Sequence, residues 1–178
     1  MVALHCGLRE GEILGLIWSD IDLNNRTLQV RRTLSEARTG RHFEPPKNGK
    51  GRNVRLTPQA VEAFRAHLGC QLQEIENSGD LYKDQGLVFP SQVGTPMSAK
   101  NMTARSFKPL LKRAGLPDIR FHDLRHTFAT LMLQNGEHPK VVQEMLGHAS
   151  IAITMDTYSH VLPNMQRDAV DRLGTLLT

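Results

Sequence analysis

Two cysteines in 178 residues, Cys6 and Cys70, lie far apart and in no paired motif. They offer neither a disulfide framework nor a zinc ribbon, and they suit a reducing cytoplasm. No apolar run approaches the roughly 20 residues of a membrane span, and no secretory leader pattern opens the chain. Glycine-rich phosphate loops of either nucleotide-binding type are missing, as are alternating strand and helix units, repeats and low-complexity segments. A chain of this length suits one globular domain that buries about two thirds of its unfolded surface, so its stability requires neither metal nor disulfide.

Charge is present in moderation but unevenly placed. The net charge is +4. Between Arg26 and Arg55 nine basic residues (Arg26, Arg31, Arg32, Arg38, Arg41, Lys47, Lys50, Arg52 and Arg55) face only Glu36 and Glu44. A second excess runs from Lys100 through Arg105, Lys108, Lys112, Arg113 and Arg120 to Arg125, against Asp118 and Asp123. Two basic segments suit a polyanionic partner; a solvated surface with clustered charges is the plainer reading of charge alone.

The pattern along the chain is mainly α with a small antiparallel β-sheet. Apolar residues before Gly7 read as the end of a helix cut short, so sequence N-terminal to Met1 is expected to belong to the same domain. A second helix starts near Arg9 and buries Ile13, Leu14, Leu16 and Ile17. Alternation of Leu28 and Val30 with polar residues predicts a strand over 27–33, and a second is expected over 53–56. Between them Thr39-Gly40 and the run from Pro45 to Gly51 carry turn chemistry, which puts Lys47 at an exposed hairpin end.

Thr57-Pro58 opens a helix with Val61, Phe64, Leu68, Leu72 and Ile75 inward. Ser98 is expected to cap another, with Met102, Leu110, Leu111 and Ala114 inward. The next helix buries Phe128, Leu131 and Met132 and stops before Gly136. Pro139 starts one that Gly147 closes, leaving His148 at a helix C-terminus where the dipole favours its protonated form. A short helix over 150–158 and a last amphipathic one from Pro163 complete the chain. Both cysteines are expected in the core.

The chemistry concentrates in two places. If residue 121 onward is helical, His122, Arg125 and His126 share one face, with Leu146-Gly147-His148 and Tyr158 downstream. Arginine offers a fork for two phosphate oxygens, histidine moves protons near neutral pH, and tyrosine can act as a nucleophile. Each has a plainer role available. Arg9 could simply pair with Glu12, Lys50 could replace Lys47, His148 could be only a helix cap, and Tyr158 a packing residue. His122 and His126 also have the i, i+4 spacing of a helical zinc pair, but Asp123 stands where a zinc protease has Glu, and Arg125 adjoins them.

Five motifs in order carry a resemblance. Gly7-Leu8-Arg9-Glu10-Gly11-Glu12-Ile13-Leu14-Gly15-Leu16 precedes Trp18-Ser19-Asp20-Ile21-Asp22, then Lys47 ahead of Arg52-Asn53-Val54-Arg55-Leu56. His122-Asp123-Leu124-Arg125-His126-Thr127, Leu146-Gly147-His148 and Tyr158 follow. Together, from Leu4 to about Leu162, they resemble the catalytic domain of the tyrosine recombinases, the phage integrase family. The resemblance implies a tyrosine recombinase catalytic-domain fold, helical with a small three-stranded sheet. It also implies DNA cutting and rejoining without metal or nucleotide cofactor.

Position by position, the resemblance makes Arg9 and Arg125 the phosphate-binding arginines, Lys47 the hairpin lysine and general acid, His122 and His148 the active-site histidines, and Tyr158 the nucleophile. Glu12 is expected to brace an arginine and His126 to support the site. Arg31, Arg32, Arg41, Lys50, Arg52, Lys100 and Arg105 are expected to contact double-stranded DNA. Residues 1–178 then form the catalytic domain, with N-terminal DNA-binding domains and the first catalytic-domain helix lying outside this chain. Self-association on DNA through the C-terminal helix and a cytoplasmic, prokaryotic, DNA-associated location follow from the same resemblance. The competing readings are a non-catalytic DNA-binding module, a zinc hydrolase using His122 and His126, and a type IB topoisomerase, whose motif spellings fit less well.

Overall fold

The structure, a computed structural model, describes residues 1–47, 49–158, 170, 171, 173–175 and 177. Helix α1 (Val2–Cys6) ends on Gly7 in the left-handed region at φ 61°. A Cβ at Gly7 would stand 2.5 Å from the Phe128 ring, so only glycine fits both the turn and the contact. Helix α2 (Glu10–Leu14) follows, with the carboxylate of Glu12 accepting the Arg9 backbone N–H at 2.8 Å. A 3-10 turn, Trp18–Asp20, leads into β1 (Ile21–Asp22) and β2 (Thr27–Val30).

The strand expected over 27–33 stops at Val30. Arg32 instead donates to the Asp20 carboxylate at 2.6 Å, and the chain restarts as β3 (Thr33–Ala37). β3 pairs antiparallel with β4 (Gly40–Glu44) in a two-stranded ribbon. Its strands never alternate between buried and exposed, so they lack the period that marks a strand in sequence. β5 (Arg52–Arg55) returns to β2, giving an antiparallel sheet of order β1-β2-β5 with Leu28 opposite Val54 and Val30 opposite Arg52.

Thr57 caps α3 (Pro58–Ser78) by accepting the Ala60 N–H at 3.2 Å. The main core joins Cys6, Leu8, Ile13 and Leu16 to Leu28, Val30, Val54, Val61 and Phe64. On α3, however, Leu72 is exposed and Gln71 buried, because the Gln71 amide donates to the Leu87 carbonyl and accepts the Trp18 indole N–H, both at 2.8 Å. Cys70 is exposed rather than core.

The helix expected after Ser98 is assembled from α4 (Ala99–Met102), a π-helical turn (Thr103–Phe107) and α5 (Lys108–Arg113). Pro109 has no N–H to give back to this turn, and the wider winding rotates the inward face. Phe107 and Leu111 are therefore buried, while Leu110 and Ala114 are exposed. Ser98 does not cap; its hydroxyl donates to Glu36 at 3.1 Å.

A second apolar cluster joins α6 (Asp123–Gln134), α7 (Pro139–Leu146) and α8 (Ile151–Tyr158) through Phe128, Ala129, Leu133, Val142, Leu146 and Tyr158. Leu133 takes the buried place expected of Leu131, which is 56% exposed. The final helix expected from Pro163 falls mostly outside the described residues. Among the described residues no helix is long and apolar enough to cross a membrane.

Candidate active site

Helix α7 ends in a left-handed Gly147 (φ 66°), and the turn tips its last carbonyls outward. Each meets a guanidinium from a different part of the chain. The Met145 carbonyl accepts from Arg52 Nε at 2.7 Å, Leu146 from Arg125 Nη2 at 2.7 Å, and Gly147 from Arg9 Nη2 at 3.5 Å. Arg125 also donates to the Gly7 carbonyl at 2.6 Å. Two glycine-capped helix ends thus hold Arg125 from both sides.

A cleft of about 350 Å³ opens over this frame, lined by Arg9, Lys47, His122, Arg125, Gly147, His148, Ala149 and Ile153. Five of the six residues expected to be catalytic therefore meet, although Arg9 and His148 stand at opposite ends of the chain. Lys47 reaches the cleft from the exposed segment between β4 and β5. Among the described residues no carboxylate lies within ion-pair distance of Arg125, which is 2% exposed. Burial first, and Arg9 and Arg52 next, lower its pKa to about 9, with Glu12 offsetting part of the effect. An anion between Arg9 and Arg125 would relieve that strain.

Glu12, 1% exposed, sits beneath the cleft. Its oxygens accept Arg9 Nη1 at 2.9 Å and both Arg52 Nη atoms at 2.8 Å. Arg52, expected at a DNA surface, is instead internal, with its side chain 10% exposed. Arg32 is likewise tied to Asp20. Of the other basic residues expected on DNA, Arg31 bonds Gln29 and Arg41 bonds the Pro96 carbonyl, both from exposed positions, and Lys50, Lys100 and Arg105 are exposed.

The expected protonation of His148 is reversed. Burial first, and the charges of Arg125, Arg9 and Arg52 after it, lower its pKa to about 4 and outweigh the helix dipole. His148 Nδ1 lies 2.9 Å from the hydroxyl of buried Thr154. In the tautomer where Thr154 donates to Nδ1, Nε2 carries the proton and is the ring's donor. His122 is also held toward its neutral form, by burial and then by His126, Arg125 and Arg9.

Tyr158 does not line the cleft. It is 2% exposed within the second apolar cluster, and its hydroxyl bonds His126 Nδ1 at 2.9 Å. The His126 ring stands 4.8 Å from His122, edge to face, so His126 links the phenol to a residue that lines the cleft. Burial raises the Tyr158 pKa, and Arg125 opposes the shift. A zinc reading of this pair finds no third ligand: no metal-ligating group of three His, Cys, Asp or Glu occurs among the described residues.

Thr154 escaped the sequence reading and Arg52 was expected on DNA rather than inside, though each carries a readable signal. Thr154 precedes Tyr158 by four positions on α8, and both face inward. Arg52 precedes Val54 by two positions on β5, which puts both on the buried side of the sheet.

Known proteins are similar to this chain in sequence and fold. The family model described as the phage integrase family matches residues 1–165. A XerC-like tyrosine recombinase of Caldanaerobacter subterraneus subsp. tengcongensis is 33% identical over an alignment covering 99% of this chain and 48% of the relative. The ICEBs1 integrase of Bacillus subtilis is 30% identical, with 99% and 48% covered. The Tn1549 transposon integrase, solved in complex with circular intermediate DNA, superposes with a TM-score of 0.77 at 28% identity, covering 97% of this chain and 57% of that one. The chain spans about half the length of the curated relatives it matches.

Proposed function

The chain belongs to the phage integrase family, and from that premise we propose that residues 1–178 form a catalytic domain that cuts and rejoins double-stranded DNA through Tyr158. The observation that carries this reading is Arg125, a buried guanidinium in a cleft with Arg9, Lys47 and two histidines and with no carboxylate in ion-pair contact among the described residues. A phosphodiester is the anion such a cleft suits.

In-line attack on phosphorus builds negative charge on the nonbridging oxygens. Arg9 and Arg125 neutralise it from fixed positions, and loss of either is expected to slow cleavage about 100- to 1000-fold. Tyr158 Oη forms the bond to phosphorus and gives its proton to the His126–His122 pair. The bond to the 5′ oxygen breaks, and Lys47 supplies the proton that the leaving oxygen takes up. His148, neutral and donating through Nε2, bonds a nonbridging oxygen. The resulting 3′-phosphotyrosyl link is opened by the 5′-hydroxyl of a second strand, which restores the phosphodiester. For this sequence Tyr158 must leave its buried place beside His126 and enter the cleft.

Exposed Arg31, Arg41, Lys50, Lys100 and Arg105 supply sequence-independent phosphate contacts, so binding weakens steeply with salt. The same reading has the protein act in the cytoplasm and self-associate on DNA through its C-terminal helix, a state that light scattering with and without a DNA site would detect.

A nicked suicide duplex incubated with the protein in EDTA tests the reading. A covalent adduct in denaturing gels is expected, and Tyr158→Phe should abolish it. An adduct that survives Tyr158→Phe would remove the tyrosine from its role. Binding without an adduct, using a protein that carries the remaining domains, would leave a DNA-binding module.

A further inference from the structure

Arg52 is the one arginine of the α7 frame that does not line the cleft, and its partners, Glu12 and the Met145 carbonyl, adjoin or hold residues that do. Both terminal nitrogens hold the two oxygens of Glu12, which in turn hold the Arg9 guanidinium and its backbone N–H. Nε holds the Met145 carbonyl, one residue before the carbonyl that Arg125 uses. The side chain also packs closely against Gly147: a Cβ there would come within 2.9 to 3.1 Å of Arg52 Nη1, Cδ and Cζ. His148 follows directly. A planar, forked side chain is required to meet two carboxylate oxygens and a carbonyl at once; lysine offers one point of charge and no fork.

We propose that Arg52 is a positioning residue for strand cleavage: it sets Arg9 through Glu12, and sets Arg125 and His148 through the C-terminal turn of α7, without touching DNA. Its place on β5, five residues after Lys47, also anchors the return of the segment that delivers the lysine. The assignment rests on the cleavage reading above, and it replaces a surface role for Arg52 with an internal one.

Arg52→Lys separates these roles. Positioning predicts that the adduct-forming rate on the nicked duplex falls on the order of 10- to 100-fold, because small misplacement of a reacting group costs that much. Affinity for the same duplex and its salt slope stay near wild type. Arg9→Ala should also cost much less in the Arg52→Lys background than alone, since Arg52 acts through Arg9.

Three results would overturn the proposal. A cleavage rate within about threefold of wild type would do so. So would weaker binding with a salt slope reduced by about one, which marks a direct phosphate contact. Cleavage that recovers fully on cooling below the variant's lowered melting point would assign Arg52 to stability alone. If a wild-type protein that also carries the regions its relatives have beyond this match makes no adduct, the cleavage reading fails instead. The positioning claim is then decided by NMR: the Arg9 Nε–H and the Gly147 and His148 amides should exchange faster in Arg52→Lys, and unchanged exchange would overturn it.

Discussion

Replacing Glu12 by Gln keeps the shape of the side chain and removes its charge, and the contacts of the carboxylate set the size of the effect. All four are hydrogen bonds from Arg9 or Arg52, at 2.8 to 2.9 Å, in a position 1% exposed. Burial would raise the Glu12 pKa, but the hydrogen bonds and charges of Arg52 and then Arg9 outweigh it and hold the value at about 2 against an ordinary 4.5. Between those values the unfolded chain binds a proton that the folded chain does not. The stabilisation is therefore fully present above the higher value and lost as pH falls through the lower one.

The interval corresponds to about 3 kcal/mol, close to the roughly 3–5 kcal/mol lost when one partner of a buried ion pair is removed. Urea unfolding of wild type and Glu12→Gln, measured from neutral pH down to about pH 3, reads the difference directly. The variant should be about 3 kcal/mol less stable at neutral pH, and the gap should narrow steadily below pH ~4.5 as Glu12 of the unfolded wild-type chain takes up a proton that the folded chain does not. Stability curves that stay parallel to the acid end would refute the argument, because they would show a carboxylate with no preference for its charged form.

Two further outcomes follow from the frame of the cleft. The His148 Cε1–H resonance should titrate near pH 4 rather than near 6.5, and adding a short DNA duplex should shift that midpoint upward as phosphate screens Arg9 and Arg125; a free-protein midpoint above 6 would contradict the burial and charge described. Gly7→Ala, which forces a Cβ to 2.5 Å from Phe128 at a positive φ, should cost at least about 1–3 kcal/mol in urea unfolding and loosen the carbonyl that holds Arg125; a change below about 0.5 kcal/mol would contradict it.

Residues that announce themselves by motif, such as Arg9, His122, Arg125 and His148, lie in one cleft of the fold, as the motif resemblance implied. The Thr57-Pro58 helix start and the Gly147 stop also fall where expected, because capping chemistry is local. What sequence hid was decided by tertiary contacts. Arg52 carries a charge and so reads as surface, yet the alternation of β5 turns it inward and a buried carboxylate makes that tolerable. The β3–β4 ribbon has no buried face and hence no period. The winding of residues 103–107 depends on five-residue hydrogen bonds that no apolar spacing reveals. Tyr158 reads as a reacting group, but its ring is also core, and only packing shows it buried with its hydroxyl on His126.

The three carbonyls at the end of α7 behave as a ruler. The roughly 3.8 Å step between Cα atoms and the dihedrals of the last turn together space these carbonyls, so the guanidiniums that read Met145, Leu146 and Gly147 inherit their separation from backbone rather than from side-chain fit. Substitutions at Met145 or Leu146 that preserve the helix leave that spacing untouched, whereas one residue added or removed in the last turn would move all three marks together. The placing of the three guanidiniums is thus written in the length of a short helix, and drift in side-chain identity along α7 is cheap where drift in its length is not.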